Sequence, residues 1–243
     1  MARQLRLIVM IGPVTMKLSR HSGAVIAFLA LSGAMGEEIR APQAEQGCLY
    51  ANGDGIDATE GCAKDPLQLA SLMALQRARV ALSLQETEIR LIGCKMGSFK
   101  TSQGSHPTKR SYLIYYPILD GPVAAYVAPL THELSHVFQM ERAGGLGKFI
   151  ADYPDSKRRE LGADFLTGVV FKNASFQANQ DFQTNLDLIG KFREMRKNAH
   201  GTPAQRASAF RIGVYLDYGA FGNSMDKANT EFQENRYATL DQI

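Results

Sequence analysis

The sequence predicts an α+β fold, a mostly helical body beside a small antiparallel sheet. Three observations carry that reading. Residues 88–94 and 111–116 are short runs rich in Ile, Leu and Tyr, bounded by polar turn residues, as strands are. Residues 65–85, the stretch from 123 to the Gly144-Gly145 break, the stretch around Glu160 that starts at Asp155 or Ser156, and residues 180–197 and 203–217 carry apolar side chains at helical spacing or helix-start signals. The 243-residue chain is 45% hydrophobic, with no low-complexity tract or repeat, which suits one domain with a single core.

The first forty residues differ from the rest. Met16-Lys17-Leu18-Ser19-Arg20 is a basic start, residues 23–34 are an apolar run of small residues, and Ser32-Gly33-Ala34 or Ala34-Met35-Gly36 offers a cleavage site. That is the form of a secretory signal peptide over residues 1–36, with residues 1–15 an over-long gene start and 37–243 the domain. The apolar run falls short of the ~20 residues that span a bilayer, so no stable membrane insertion is expected after cleavage. Residues 1–36 hold four basic residues and no acidic one, leaving 23 basic against 24 acidic in the remainder. The formal +3 of the whole chain therefore belongs to the export signal, and nucleic acid is not an expected partner. A periplasmic or secreted location follows.

Cysteine usage agrees with export. Cys48 and Cys62 bracket a Gly/Asp-rich loop with little to pack, and a disulfide between them would close about 15 residues, worth on the order of 3 kcal/mol. Cys94, in an apolar run, is expected as a buried free thiol. Asp65-Pro66-Leu67-Gln68 then opens a helix, with Leu67, Leu69, Leu72, Met73, Leu75, Val80 and Leu82 as a wide apolar face. Residues 95–110 are polar with Gly, Ser and Pro and read as a loop.

The chemistry concentrates after residue 122. Val123, Val127, Leu130, Leu134 and Phe138 form an apolar stripe, with Pro129 either kinking the helix or starting a new one. On the other side stand His132 and His136, four residues apart, so both imidazoles leave one face and can share a metal ion. Glu133 is adjacent and can take a proton from water without being a ligand. Glu160 lies 24 residues beyond His136 in another helical pattern and can complete a three-ligand set, leaving a fourth position open. Asp164, one turn on, suits acceptance of an imidazole N–H, and Gly168 on the same row lets a neighbouring helix approach. The helix carrying Glu160 starts at Asp155 or Ser156, after a loop that begins at Gly144-Gly145. Thr202-Pro203-Ala204-Gln205 reads as a capping box, and the tail from Ser224 as a short helix with a loose end.

His132-Glu133-Leu134-Ser135-His136-Val137-Phe138-Gln139, then Glu160-x-x-Ala163-Asp164-Phe165-x-x-Gly168 and His200-Gly201-Thr202-Pro203-Ala204-Gln205-Arg206, resembles the bacterial neutral zinc metallopeptidases, and more loosely other gluzincins. The resemblance covers about residues 111–215. Ser135 stands where that family has a small Gly, and the segment before the helix is shorter. It implies a zincin-like fold, Zn2+ held by His132, His136 and Glu160, and Glu133 as general base. It also implies hydrolysis of peptide or protein substrates, with residues 112–116 as the cleft-edge strand. His200 is the candidate donor to the oxyanion, with Tyr153 and Arg206 behind it, although Arg206 also suits pairing with Asp164. The rival readings are a zinc amidase acting on cell-wall peptides and a non-catalytic zinc-stabilised exported interaction protein. For the N-terminus the expectation is direct: mass spectrometry of exported protein should find a chain starting between Met35 and Glu37. Exported material that keeps residue 16 would refute the signal assignment.

Overall fold

A computed structural model of the chain describes residues 49–50, 62–63, 69–94, 99–104, 109–118, 124–174, 200–240 and 242. The proposed signal segment and the helix expected at 180–197 lie outside them. The described residues form a mixed sheet beside a larger helical body, an α+β arrangement. In order they are β1 (Leu49–Tyr50), β2 (Cys62–Ala63), α1 (Leu69–Ala81), β3 (Glu88–Cys94), β4 (Lys100–Gly104), β5 (Ser111–Pro117), α2 (Ala124–Ala143), α3 (Leu146–Asp152) and α4 (Ser156–Asn173). After them come α5 (Pro203–Tyr215), a 3-10 turn (Tyr218–Phe221), α6 (Met225–Glu231), a π turn (Phe232–Arg236) and α7 (Tyr237–Leu240).

The sheet corrects the sequence reading twice. Its order is β1-β4-β5-β3-β2, and β3 runs parallel to β5. The expected antiparallel sheet fails because the polar stretch assigned to a loop contains β4, which takes the antiparallel place beside β5. A parallel pair needs a long crossover, and the residues between β3 and β5 supply one that includes β4. Strand β5 is thus paired on both sides and cannot be the open cleft edge. The strand at that side is β4, whose outer edge pairs with β1 at Leu49↔Thr101 and Tyr50↔Ser102.

The disulfide is also different. Antiparallel pairing of β2 with β3 sets Cys62 opposite Cys94, and the two are bonded. The Cys48–Cys62 bond and the free Cys94 thiol are both overturned. Sheet register, which local spacing does not reveal, chose the partner. The bond closes a longer loop, spanning 32 positions, for which chain entropy gives about 4 kcal/mol.

Helix α2 is the centre of the body. It runs unbroken through Pro129, and from Ala128 to Met140 every residue is buried. The expected one-sided stripe is therefore a helix enclosed on all faces, with α1, α3, α4, β4 and β5 around it. Helix α1 buries a narrower face than expected. Leu75, Ala78 and Leu82 are inside, while Met73 and Val80 are about half exposed at 54% and 51%. The loop expected after Gly145 is instead α3, with Gly144 and Gly145 at φ +95° and +126° forming the break. The tail is no loose end: Met225, Ala228, Phe232 and Leu240 are buried, and Phe232 stacks on Phe165 at 5.0 Å.

Among the described residues, helices α4 and α5 pack more extensively against each other than any other pair of helices. Both ends of the cap logic hold: Asp155 accepts from the Lys157 N–H, and Thr202 with Gln205 forms a capping box with Pro203 in the first turn. Where the helices cross, Gly168 and Gly213 leave no room for a side chain. A Cβ at Gly168 would lie 2.1 Å from the Phe210 carbonyl oxygen, and one at Gly213 would lie 2.0 Å from that of Phe165. Because backbone is what would be struck, relief requires moving a helix. Gly213→Ala should lower stability by roughly 3 kcal/mol, read as a fall in the urea midpoint. A midpoint equal to wild type would show that the helices can part freely.

Candidate metal centre

Helices α2 and α4 bring together what the sequence separates by 24 residues. Nε2 of His132 lies 3.2 Å from Glu160 Oε2, and Nε2 of His136 lies 3.4 Å from Glu160 Oε1. The rings of the two histidines are 4.7 Å apart and nearly perpendicular. One donor atom from each of the three residues falls within 4.8 Å of the others, and all three side chains are buried.

Hydrogen bonds behind the rings decide which nitrogen faces inward. His136 Nδ1 donates to Gln139 Oε1 at 3.0 Å, and His132 Nδ1 is 3.0 Å from Asp164 Oδ1. Each Nδ1 therefore carries its proton, and each Nε2 turns a lone pair toward the Glu160 carboxylate. His136 Nε2 is buried without any hydrogen-bond partner. Acceptors gathered at this range repel one another unless a cation stands among them. Two ligands about 2.1 Å from one tetrahedral ion lie about 3.4 Å apart, close to the spacings observed. The residues fit, and His132, His136 and Glu160 can hold a metal ion.

Electrostatics around the three are tightly arranged. Asp164 receives a two-pronged grip from Arg206, Nε to Oδ2 at 2.5 Å and Nη2 to Oδ1 at 2.8 Å, and Arg206 Nη1 is 3.6 Å from Glu160 Oε2. Of the two roles open to Arg206, the structure places it on Asp164. Burial pushes the Glu160 carboxyl up, but the imidazoles of His136 and His132 against it, with His200 beyond them, hold it well below the usual carboxylate range. It stays ionised, as a ligand must. Glu133 goes the other way. Burial pushes its pKa up to about 7 against the pull of His136 and a hydrogen bond from Thr101, with Glu160 adding to the rise. A cation held nearby would favour the ionised form.

His200 lies beside Glu160, Nε2 to Oε1 3.9 Å, with its side chain 15% exposed. Burial lowers its pKa, only partly offset by Glu160. Tyr153 does not join the donor set. Its ring lies under the Arg158 guanidinium and against Phe149, and its carbonyl accepts from Arg159. Sequence reasoning missed three residues. Gln139 could have been found, since it stands at i+3 from His136 on the same face. Gly162 sits under it, where a Cβ would fall 2.6 Å from Gln139 Nε2. Thr101 had no signal, lying in a stretch without apolar alternation.

No family model, curated protein or solved structure matches the chain. The site's own chemistry therefore carries its interpretation. Gly162 offers a direct check on that chemistry. Gly162→Ala displaces only the ends of flexible side chains, Gln139 and Gln233, so the fold should persist while His136 loses its orienting partner. Affinity for a divalent transition metal, measured by competition with a chelator, should fall about tenfold. Unchanged affinity would mean that Gln139 does not orient His136.

Proposed function

We propose that the protein is a zinc-dependent metallopeptidase of zincin-like fold, related to the bacterial neutral zinc metallopeptidases. The observation that carries this reading is the unpartnered Nε2 of buried His136 facing Glu160, with the carboxylate of Glu133 beside the donor set but outside it. Three protein donors with mixed imidazole and carboxylate character suit zinc and leave a position open, the mark of catalytic rather than closed structural sites. Zinc, when bound, supplies a Lewis acid that polarises a carbonyl and lowers the pKa of a coordinated water to about 7.

The chain's own residues do the rest. Glu133 takes the proton from the attacking water and returns it to the leaving amine. Asp164 and Gln139 keep each histidine in the tautomer that presents Nε2. His200, partly exposed beside Glu160, donates its ring N–H to the oxygen that gains charge as the carbonyl is attacked. Peptide or protein is the substrate. Export to an oxidising compartment agrees with the Cys62–Cys94 disulfide and with the basic, apolar and small-residue pattern of residues 16–36. No helix among the described residues is long and apolar enough to cross a membrane.

A zinc-stabilised interaction protein would need the three ligands but not a buried carboxylate beside them. Two variants separate the readings. Glu133→Gln should keep stoichiometric zinc and the folded spectrum while losing more than about 100-fold in turnover of a general peptide substrate. Glu160→Ala should lose zinc first, with activity partly restored by excess metal. Wild-type activity in Glu133→Gln would sink the proposal, and equal zinc loss in both variants would assign the glutamates wrongly.

A further inference from the structure

Glu133 has two oxygens, and one of them is held. Thr101 Oγ1 donates to Glu133 Oε2 at 2.6 Å and stands 3.3 Å from the Glu133 carbonyl oxygen. Both residues are buried, Thr101 fully and Glu133 to 1% exposure. The two come from different layers: Glu133 from the central helix α2, Thr101 from strand β4, 32 positions earlier. Thr101 is itself fixed by β-pairing on both sides, to Ile114 of β5 and Leu49 of β1. Its hydroxyl is thus a rigid donor aimed at a carboxylate that would otherwise rotate about its last bonds.

We infer that Thr101 is the positioning residue of the site, a sheet-borne hydroxyl that fixes the rotation of the Glu133 carboxylate so that its other oxygen faces the attacking water. This rests on the metallopeptidase reading of Glu133. A carboxylate that serves as base must present one oxygen at hydrogen-bond distance and angle to the proton it takes. Pinning Oε2 from the sheet leaves Oε1 to do so, and it removes rotamers in which the carboxylate swings toward the histidines. A single donor at this place also leaves the second oxygen unencumbered, which two donors would not.

The effect belongs to the chemical step, because Thr101 reaches the reaction only through Glu133. Thr101→Val keeps the shape of the side chain and removes the hydroxyl. With zinc-loaded protein and a fluorogenic peptide, kcat should fall roughly 10- to 100-fold, with KM and zinc content unchanged. Thr101→Ser, which keeps the hydroxyl and loses the methyl, should recover most of kcat. A kcat in Thr101→Val within twofold of wild type overturns the inference, as does Thr101→Ser falling as far as Thr101→Val, which would make the role one of packing. A crystal structure of zinc-loaded Thr101→Val, or of Thr101→Ala if that variant folds poorly, decides the matter without reference to turnover. The Glu133 carboxylate should be rotated from its wild-type orientation, and an unrotated carboxylate overturns the inference. Wild-type protein that binds zinc but cleaves no peptide would instead refute the metallopeptidase reading, and the carboxylate's orientation would still judge Thr101.

Discussion

Glu133, Glu160, Asp164 and Arg206 are each no more than 3% exposed, and the burial of these charges constrains everything around them. Isolated charges cost several kcal/mol each to bring out of water, so such a group persists only when every member is paired. Arg206 offsets one carboxylate, and its two-pronged grip selects Asp164. The ionised Glu160 is left facing two imidazole lone pairs, with Glu133 next to them. Counted with all carboxylates ionised and the histidines neutral, the cluster carries two negative charges. A divalent cation at the three donors would bring it to neutrality, and its binding would then favour the folded chain.

That compensation depends on helix geometry more than on any single contact. Arg206 reaches Asp164 only because α5 crosses α4 at backbone distance, with Gly168 and Gly213 facing each other's partners across the crossing. The same approach puts His200, just before α5, beside Glu160. Glu160 and Asp164 in turn meet His132 because α4 lies along α2. Two glycines thus set the distance at which four charged or ring side chains converge. The π turn and α7 complete the enclosure: Arg158 of α4 is held by Gln233, and Gln205 of α5 by the Leu240 carbonyl.

What could be read from the sequence was whatever depends on spacing within one helix. His132 with His136, Glu160 with Asp164 and Gly168, and the capping box at Thr202 all follow from helical period, and the structure keeps each of them. The broad α+β class was legible for the same reason. Register and pairing between distant strands were not. Whether Cys62 joins Cys48 or Cys94 depends on which strand lies opposite, and whether β3 and β5 run parallel depends on β4 between them in sequence. The tail misled because its polar residues outnumber its buried ones. Met225, Ala228 and Phe232 nonetheless stand at i, i+3 and i+7, which is a helical stripe.

Strand β4 is where these two kinds of information meet. Its sequence, Lys100-Thr101-Ser102-Gln103-Gly104, has no apolar residue to announce a strand, yet Thr101 and Ser102 are fully buried. Two of its polar side chains, Thr101 and Gln103, find polar partners on α2 and α3, while the buried Ser102 hydroxyl has none. Thr101 bonds to Glu133, and Gln103 accepts from the Leu146 N–H at the start of α3. The strand is therefore specified by the site and its surroundings, and not by hydrophobic patterning of its own. A stretch that looks like a loop because it lacks core residues can be ordered by the polar groups it bonds to. This explains why the strand that bonds to Glu133 was the one least visible in the sequence.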